Sequence, residues 1–247
     1  MINTTICSIA IGKDYQDSFY RLIDNICIQD TSHNHEIKLN FLCATDTDQN
    51  VSTSCKNINI ANDNHKLFYK HGHRNEFNFN LKYIPIAASS LQENTDCIIF
   101  VDSDWQIHDN FKIDKVRSFI DRFMKSNADF IFERPHPIGG CKKDSRLFWR
   151  HKVDLYNLKK TDKYDNAHVV NEQFLAFKNN NKMHLFIDSW QKRNIICLEN
   201  GIRPWAEGVE IGMSYTDANM IAVNNYHKIM SECFQFQSKD GKTHVRW

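Results

Sequence analysis

The chain has 247 residues, 41% of them hydrophobic and 25% charged, and a formal net charge of +1. That length suits one large domain or two small ones with a sizeable core, and the composition excludes large-scale disorder. The near-zero charge excludes a global field favouring nucleic acid or an anionic membrane.

No apolar run approaches the roughly 20 residues of a membrane-spanning helix. The N-terminal MINTTICSIAIG lacks a basic leader, and its apolar run is too short for a signal peptide. Eight cysteines are present, none in a CxxC pair, so zinc-site spacing is absent. Cys7, Cys43, Cys97 and Cys197 lie inside apolar, strand-like runs, where free buried thiols are expected. That usage points to a soluble protein of the reducing cytoplasm.

In chain order, Thr4 to Ile11 reads as a β-branched strand ended by Gly12. A helix follows over Tyr15 to Cys27, with Phe19, Leu22, Ile23 and Ile26 on one face. Ile37 to Ala44 is a second strand closed by the polar TDTDQN, and Asn57 to Ile60 a third, short one. Phe77 to Leu91 reads as a helix. Cys97 to Val101 is a continuously apolar strand, as expected when both sheet faces are covered. The stripe Ile113, Val116, Phe119, Ile120, Phe123 predicts a helix over 113–126. A strand follows at Asp129 to Glu133, then an irregular stretch, 134–166. Val169 to Phe177 is strand-like, and Lys182 to Lys192 is helical on Met183, Phe186, Ile187 and Trp190. Ile195 to Leu198 reads as a further strand, and the tail from Cys233 carries the turn KDG. Alternating strands and helices predict one α/β, Rossmann-like domain over 1–247, with a mainly parallel sheet flanked by helices.

In such sheets ligands bind beyond the carboxyl ends of the strands. CIIFVDSDWQI puts Asp102 and Asp104 at such an end, two residues apart and able to face the same way. Paired carboxylates there suit a divalent cation that neutralises a diphosphate as it leaves; a solvated Asp-Ser-Asp turn is the plain alternative. Gly12 permits close backbone approach at the end of the first strand. Lys13, Lys82 and Arg246 are candidate phosphate contacts. Glu207 and Glu210, three residues apart in WAEGVEIGMSY, share one face if helical, although Gly208 and Gly212 would weaken that helix. They are the first candidates for a catalytic carboxylate, followed by Glu172 and Gln173. The loop from Cys141 to Lys163 is rich in Lys and Arg. It is either a cover for a diphosphate or anionic acceptor, or a solvated face.

The segment NEFNFNLKYIPIAASSLQENTDCIIFVDSDWQI resembles the centre of the A-type (GT-A fold) nucleotide-sugar glycosyltransferases, with Lys82 at the family's basic helix position. VVNEQFLAFKNNNKMHLFIDSWQK resembles the family's strand, basic-Asn turn and helix ending in Trp. The tail THVRW is similar to the C-terminal His, basic residue and Trp of the glycogenin-like branch, without the intervening Gly and Pro.

The resemblance implies a GT-A fold with a nucleotide-binding half, 1–104, and an acceptor-side half, 105–247. It implies Mn2+ or Mg2+ on Asp104 directly, on Asp102, which alternatively meets the donor ribose, and on His244. Ala10, Ile11 and Gly12 would lie against base and ribose. Lys82, Ser103 and Arg246 would complete the donor site. The implied reaction transfers a sugar from a nucleoside diphosphate, expected to be UDP, to a hydroxyl acceptor: a saccharide, a lipid-linked glycan, a protein or a modified DNA base. Two alternatives stand beside it. A nucleotidyltransferase would normally carry a Gly-rich phosphate loop that AIGKDYQDSF lacks. A noncatalytic module that keeps a sugar-nucleotide pocket is disfavoured by the intact Asp102 and Asp104.

Overall fold

Strands that are apolar on both faces need two cores, and the chain builds one on each side of a single sheet. The computed structural model describes residues 1–30, 36–47, 54–60, 68–71, 74–103, 105–107, 112–143, 147–202, 207–224 and 234–236. The described strands are β1 (Ile2–Ala10), β2 (Ile37–Thr45), β3 (Cys55–Asn59), β4 (Phe68–His71), β5 (Arg74–Phe77), β6 (Cys97–Val101), β7 (Trp105–Ile107), β8 (Phe130–Pro137), β9 (His168–Lys178), β10 (Ala222–Asn224) and β11 (Phe234–Phe236). The helices are α1 (Lys13–Gln29), α2 (Tyr83–Ser90), α3 (Ile113–Lys125), α4 (Ile138–Cys141), α5 (Leu147–Leu155), α6 (Met183–Glu199) and α7 (Gly208–Asp217).

Seven strands form the central sheet in the order β10-β8-β9-β6-β1-β2-β3. All neighbours run parallel except β9, which is antiparallel to both β6 and β8. The expected α/β domain with a mainly parallel sheet is therefore present. From β1 the chain first builds outward through β2 and β3, then returns to β6 on the other side of β1. This reversal places the carboxyl ends of β1 and β6 side by side, the edge at which open α/β sheets bind ligands. The Ser8 hydroxyl ties the two strands there by donating to the Val101 carbonyl at 2.7 Å.

Every residue of β6 is buried. Ile98 and Phe100 face one core, with residues of α2, α6 and α7, while Cys97, Ile99 and Val101 face the other, with α1 and α3. Period-2 alternation thus serves two apolar faces at once. Across β8 and β9, Phe130 pairs with Phe177, their rings stacked at 4.5 Å. Cys7, Cys43, Cys97 and Cys197 are free and buried, as expected, and burial pushes the Cys7 and Cys97 thiols up to about 12.

Several sequence expectations are corrected. The helix expected over 77–91 starts later. Phe77 ends β5, a 3-10 turn covers Phe79–Lys82, and α2 begins at Tyr83. The Asn78 side chain accepts from the Asn80 amide and opens that turn, and Pro85 falls within the first turn of α2, where its missing N–H costs little. Ile195 to Leu198 is no strand. It continues α6, burying Asn194 and Cys197 while Ile195 and Ile196 remain exposed; β-branched residues misled the local reading. The stretch 134–166 holds the end of β8, α4, α5 and a second 3-10 turn at Leu158–Lys160. The third strand lies at 55–59 rather than 57–60.

Gly208 and Gly212 were expected to weaken a helix, yet α7 forms across both. A Cβ on Gly208 would collide with the Val170 carbonyl, and one on Gly212 with that of His168. The glycines let the helix lie against the β9 backbone, and burial outweighs their propensity cost of roughly 1 kcal/mol each. Gly208→Ala should therefore destabilise the protein by about 1–3 kcal/mol despite alanine's better helix propensity, which urea unfolding would measure. A stabilised variant would mean that α7 does not sit on β9.

Candidate active site

The site is built from the ends of four elements around the reversal point. Asp102 immediately follows β6, and its amide donates to the Gln173 carbonyl of β9 at 3.0 Å. Its side chain is about one-fifth exposed. Lys82 ends the 3-10 turn before α2 and is almost wholly buried. Its ammonium lies 3.0 Å from Asp102 Oδ1 and 3.2 Å from Glu207 Oε1. Glu207, also buried, is the N-cap of α7. The Lys82 Nζ stands 5.8 Å from the centroid of the Phe100 ring below it. One buried cation thus joins three segments far apart in sequence. Breaking such a contact is costly because it strands buried charge.

Beside this trio, Ala10 is buried and Ile11 half-buried. Gly12 adopts φ 83°, the left-handed region, and the space where a Cβ would stand is open. Its amide donates to Asp46 Oδ1 at 3.1 Å, and Gln16 Nε2 donates to the same oxygen at 2.7 Å. Ser103 is buried and Gln173 half-buried, while Lys13 is exposed in the first turn of α1. The structure thus brings Lys82, Asp102, Glu207 and Gln173 together by direct contacts, with Ala10 to Gly12 at the end of the adjoining strand.

Other expected residues fall elsewhere. Glu210 is fully buried and engages Lys152 of α5 rather than Lys82. Its Oε1 also accepts from the Tyr156 hydroxyl at 2.8 Å and the Cys197 thiol at 3.2 Å. Burial draws the Lys152 ammonium down, but Glu210 and Cys197 outweigh it and raise its pKa. Burial, reinforced by Glu210, pushes the Cys197 thiol up to about 12. Asp104, His244, Arg246 and Trp247 lie outside the described residues, as does the side chain of Glu172. Among the described residues, no three His, Cys, Asp or Glu side chains gather as a cation site. Of the predicted metal ligands only Asp102 is placed, and its Oδ1 faces Lys82.

Three described cations of the expected basic loop are paired within the protein, while Lys143, Arg150, Lys159 and Lys160 are exposed. Lys142 pairs with Asp165, Lys163 with Asp217, and Lys152 with Glu210.

Sequence reading missed Asp46, although its signal was there: like Asp102, it directly follows a buried apolar strand, here β2. It also missed a groove of about 450 Å³ beside α6, lined by Tyr156, Leu185, Ser189, Arg193 and Asp217, among others. None of the predicted site residues lines it.

No protein-family model matches the chain, and no curated protein sequence matches it.

Lys82→Met should cost about 3–5 kcal/mol, because Asp102 and Glu207 lose their common buried cation; denaturant unfolding measures it, and a neutral effect would contradict the pairing. Asp217, at the groove, has a testable pH signature. Burial alone would raise its carboxyl, but Lys163, Arg193 and Ser189 hold it at about 2, below the ordinary 3.8. The folded value lies below the unfolded one, so the contribution is complete above roughly pH 4 and disappears as pH falls toward 2. Asp217→Asn should therefore flatten the fall of melting temperature between pH 4 and 2; an unchanged slope would place the acid sensitivity elsewhere.

Proposed function

We propose that this protein is a glycosyltransferase, moving a sugar from a UDP-linked donor to a hydroxyl acceptor. The observation that carries the reading is Asp102, placed at the carboxyl end of β6 where the strand order reverses and held there by the buried Lys82. This is the ligand-binding edge of an open α/β sheet. The sequence around it, with a basic residue, a short helix and an apolar strand ending in Asp-Ser-Asp, resembles that of nucleotide-sugar glycosyltransferases.

In this reading the acceptor oxygen attacks the anomeric carbon and releases its proton to solvent. The bond to the diphosphate breaks, and its electron pair leaves with UDP. Ala10 to Gly12 border the nucleoside, with the open side of Gly12 allowing close approach. The Lys82 ammonium offsets charge growing on the leaving diphosphate. Glu207 keeps that ammonium in place. Mn2+ or Mg2+, held by Asp102 and Asp104, would supply the remaining positive charge. Fixed charges of this kind stabilise the transition state without reorganising as it forms.

UDP at a hundredfold excess over its Kd should stabilise the fold by about 2.7 kcal/mol. For a chain of this length that is several degrees in melting temperature. The shift should require Mn2+ and vanish in Asp102→Ala and Asp104→Ala. Slow release of sugar from the UDP-sugar without acceptor would separate an enzyme from a binding module. Equal stabilisation in excess chelator would assign the phosphates to Lys and Arg alone, and no shift with any nucleoside diphosphate would overturn the reading.

A further inference from the structure

We infer that the buried Lys152–Glu210 pair is a positioning device for the site at the reversal point, acting through the first turn of α7. Glu207 and Glu210 stand one helical turn apart, and each meets a buried lysine from a different element. Glu207 meets Lys82 ahead of α2, and Glu210 meets Lys152 of α5. Between them, Gly208 seats the helix on the Val170 carbonyl of β9, and Gly212 does the same one turn later at His168. Contact through glycines sets how closely the helix approaches the strand. The glycines themselves offer no side chain to fix the helix's rotation. At the far end of α7 the Tyr215 hydroxyl accepts from the His168 amide of β9 at 2.7 Å, but the first turn has no such tie to the strand among the described residues. In the first turn, directional contacts come from Glu210, which has several: Lys152, the Tyr156 hydroxyl at 2.8 Å and the Cys197 thiol at 3.2 Å, drawn from α5, the residue beyond it and α6.

A pair this deeply buried is a poor source of stability, since charge desolvation offsets most of the attraction. Setting register is the best-attested use of such a group. A rotation of α7 that broke the Glu210 contacts would carry Glu207 with it. Lys82 would then lose one of its two carboxylates, and Asp102 would lose a fixed partner. Lys152 and Glu210 thus act on the site through Glu207 and touch no reacting atom themselves.

The test replaces the pair by apolar residues of similar size, Lys152→Met with Glu210→Leu, so that neither charge is stranded. The double variant should keep a melting temperature near that of the wild type. Its amide exchange should nevertheless rise in residues 207–211 and 80–84, and its affinity for UDP with Mn2+ should fall about tenfold, the scale seen when supporting contacts behind a site are removed. Tyr156→Phe, which removes one hydrogen bond to Glu210, should move both readouts in the same direction by less, and it decides the matter if the double variant does not fold. Unchanged exchange and unchanged affinity in a folded variant would overturn the inference. The choice of UDP rests on the glycosyltransferase reading, whereas the exchange measurement does not. Wild-type protein that ignores UDP while the variant's exchange rises would sink that reading and leave this inference standing.

Discussion

The Lys82 ammonium is the interaction around which the candidate site is organised. It contacts Asp102 from the end of a central strand and Glu207 from the start of a late helix, at 3.0 and 3.2 Å. In water, contacts of that kind contribute little. Almost wholly buried, the same charges cannot separate without leaving one of them uncompensated. Closing the site and completing the packing between α2, β6 and α7 are therefore one event.

The rest of the architecture serves to bring those three segments to one edge. The sheet reverses its order at β1, so β6 returns beside the first strand and delivers Asp102 next to Ala10 and Gly12. β9 enters antiparallel on the other side of β6, and its Gln173 carbonyl takes the Asp102 amide. The same strand, through Val170 and His168, forms the seat for α7. β9 thus supports the site from both directions, as a backbone partner to Asp102 and as the floor under Glu207.

Two buried lysines next to a glycine-faced helix describe a site set by specific contacts. A larger residue at 208 or 212 would hold α7 by shape but at a greater distance from β9. Glycine allows the closest approach, so orientation depends on directional contacts: Glu207 and Glu210 at the start of the helix and the Tyr215 hydroxyl on the His168 amide near its end. The exposed ion pairs of the α5 region, such as Arg150 with Asp154 at 3.9 Å, have no comparable consequence, because solvent competes for both partners.

Local pattern determined much of this protein. The apolar run 97–101, the α1 and α3 stripes and the alternation of strands with helices specify a covered, mainly parallel sheet, and Asp102 was legible as a carboxylate at a strand end. These features depend on side-chain period and burial, which neighbouring residues encode. Only tertiary structure decided that Ile195 to Leu198 is helix, because the preceding turns of α6 carry the chain past its β-branched residues. It also decided that Gly208 and Gly212 belong inside a helix, since their value lies in carbonyls of β9 some forty residues earlier. Above all, it separated two acidic residues that look alike in sequence. Glu207 went to the site and Glu210 to a buried network, because their lysine partners at 82 and 152 arrive from elements whose placement no local pattern encodes.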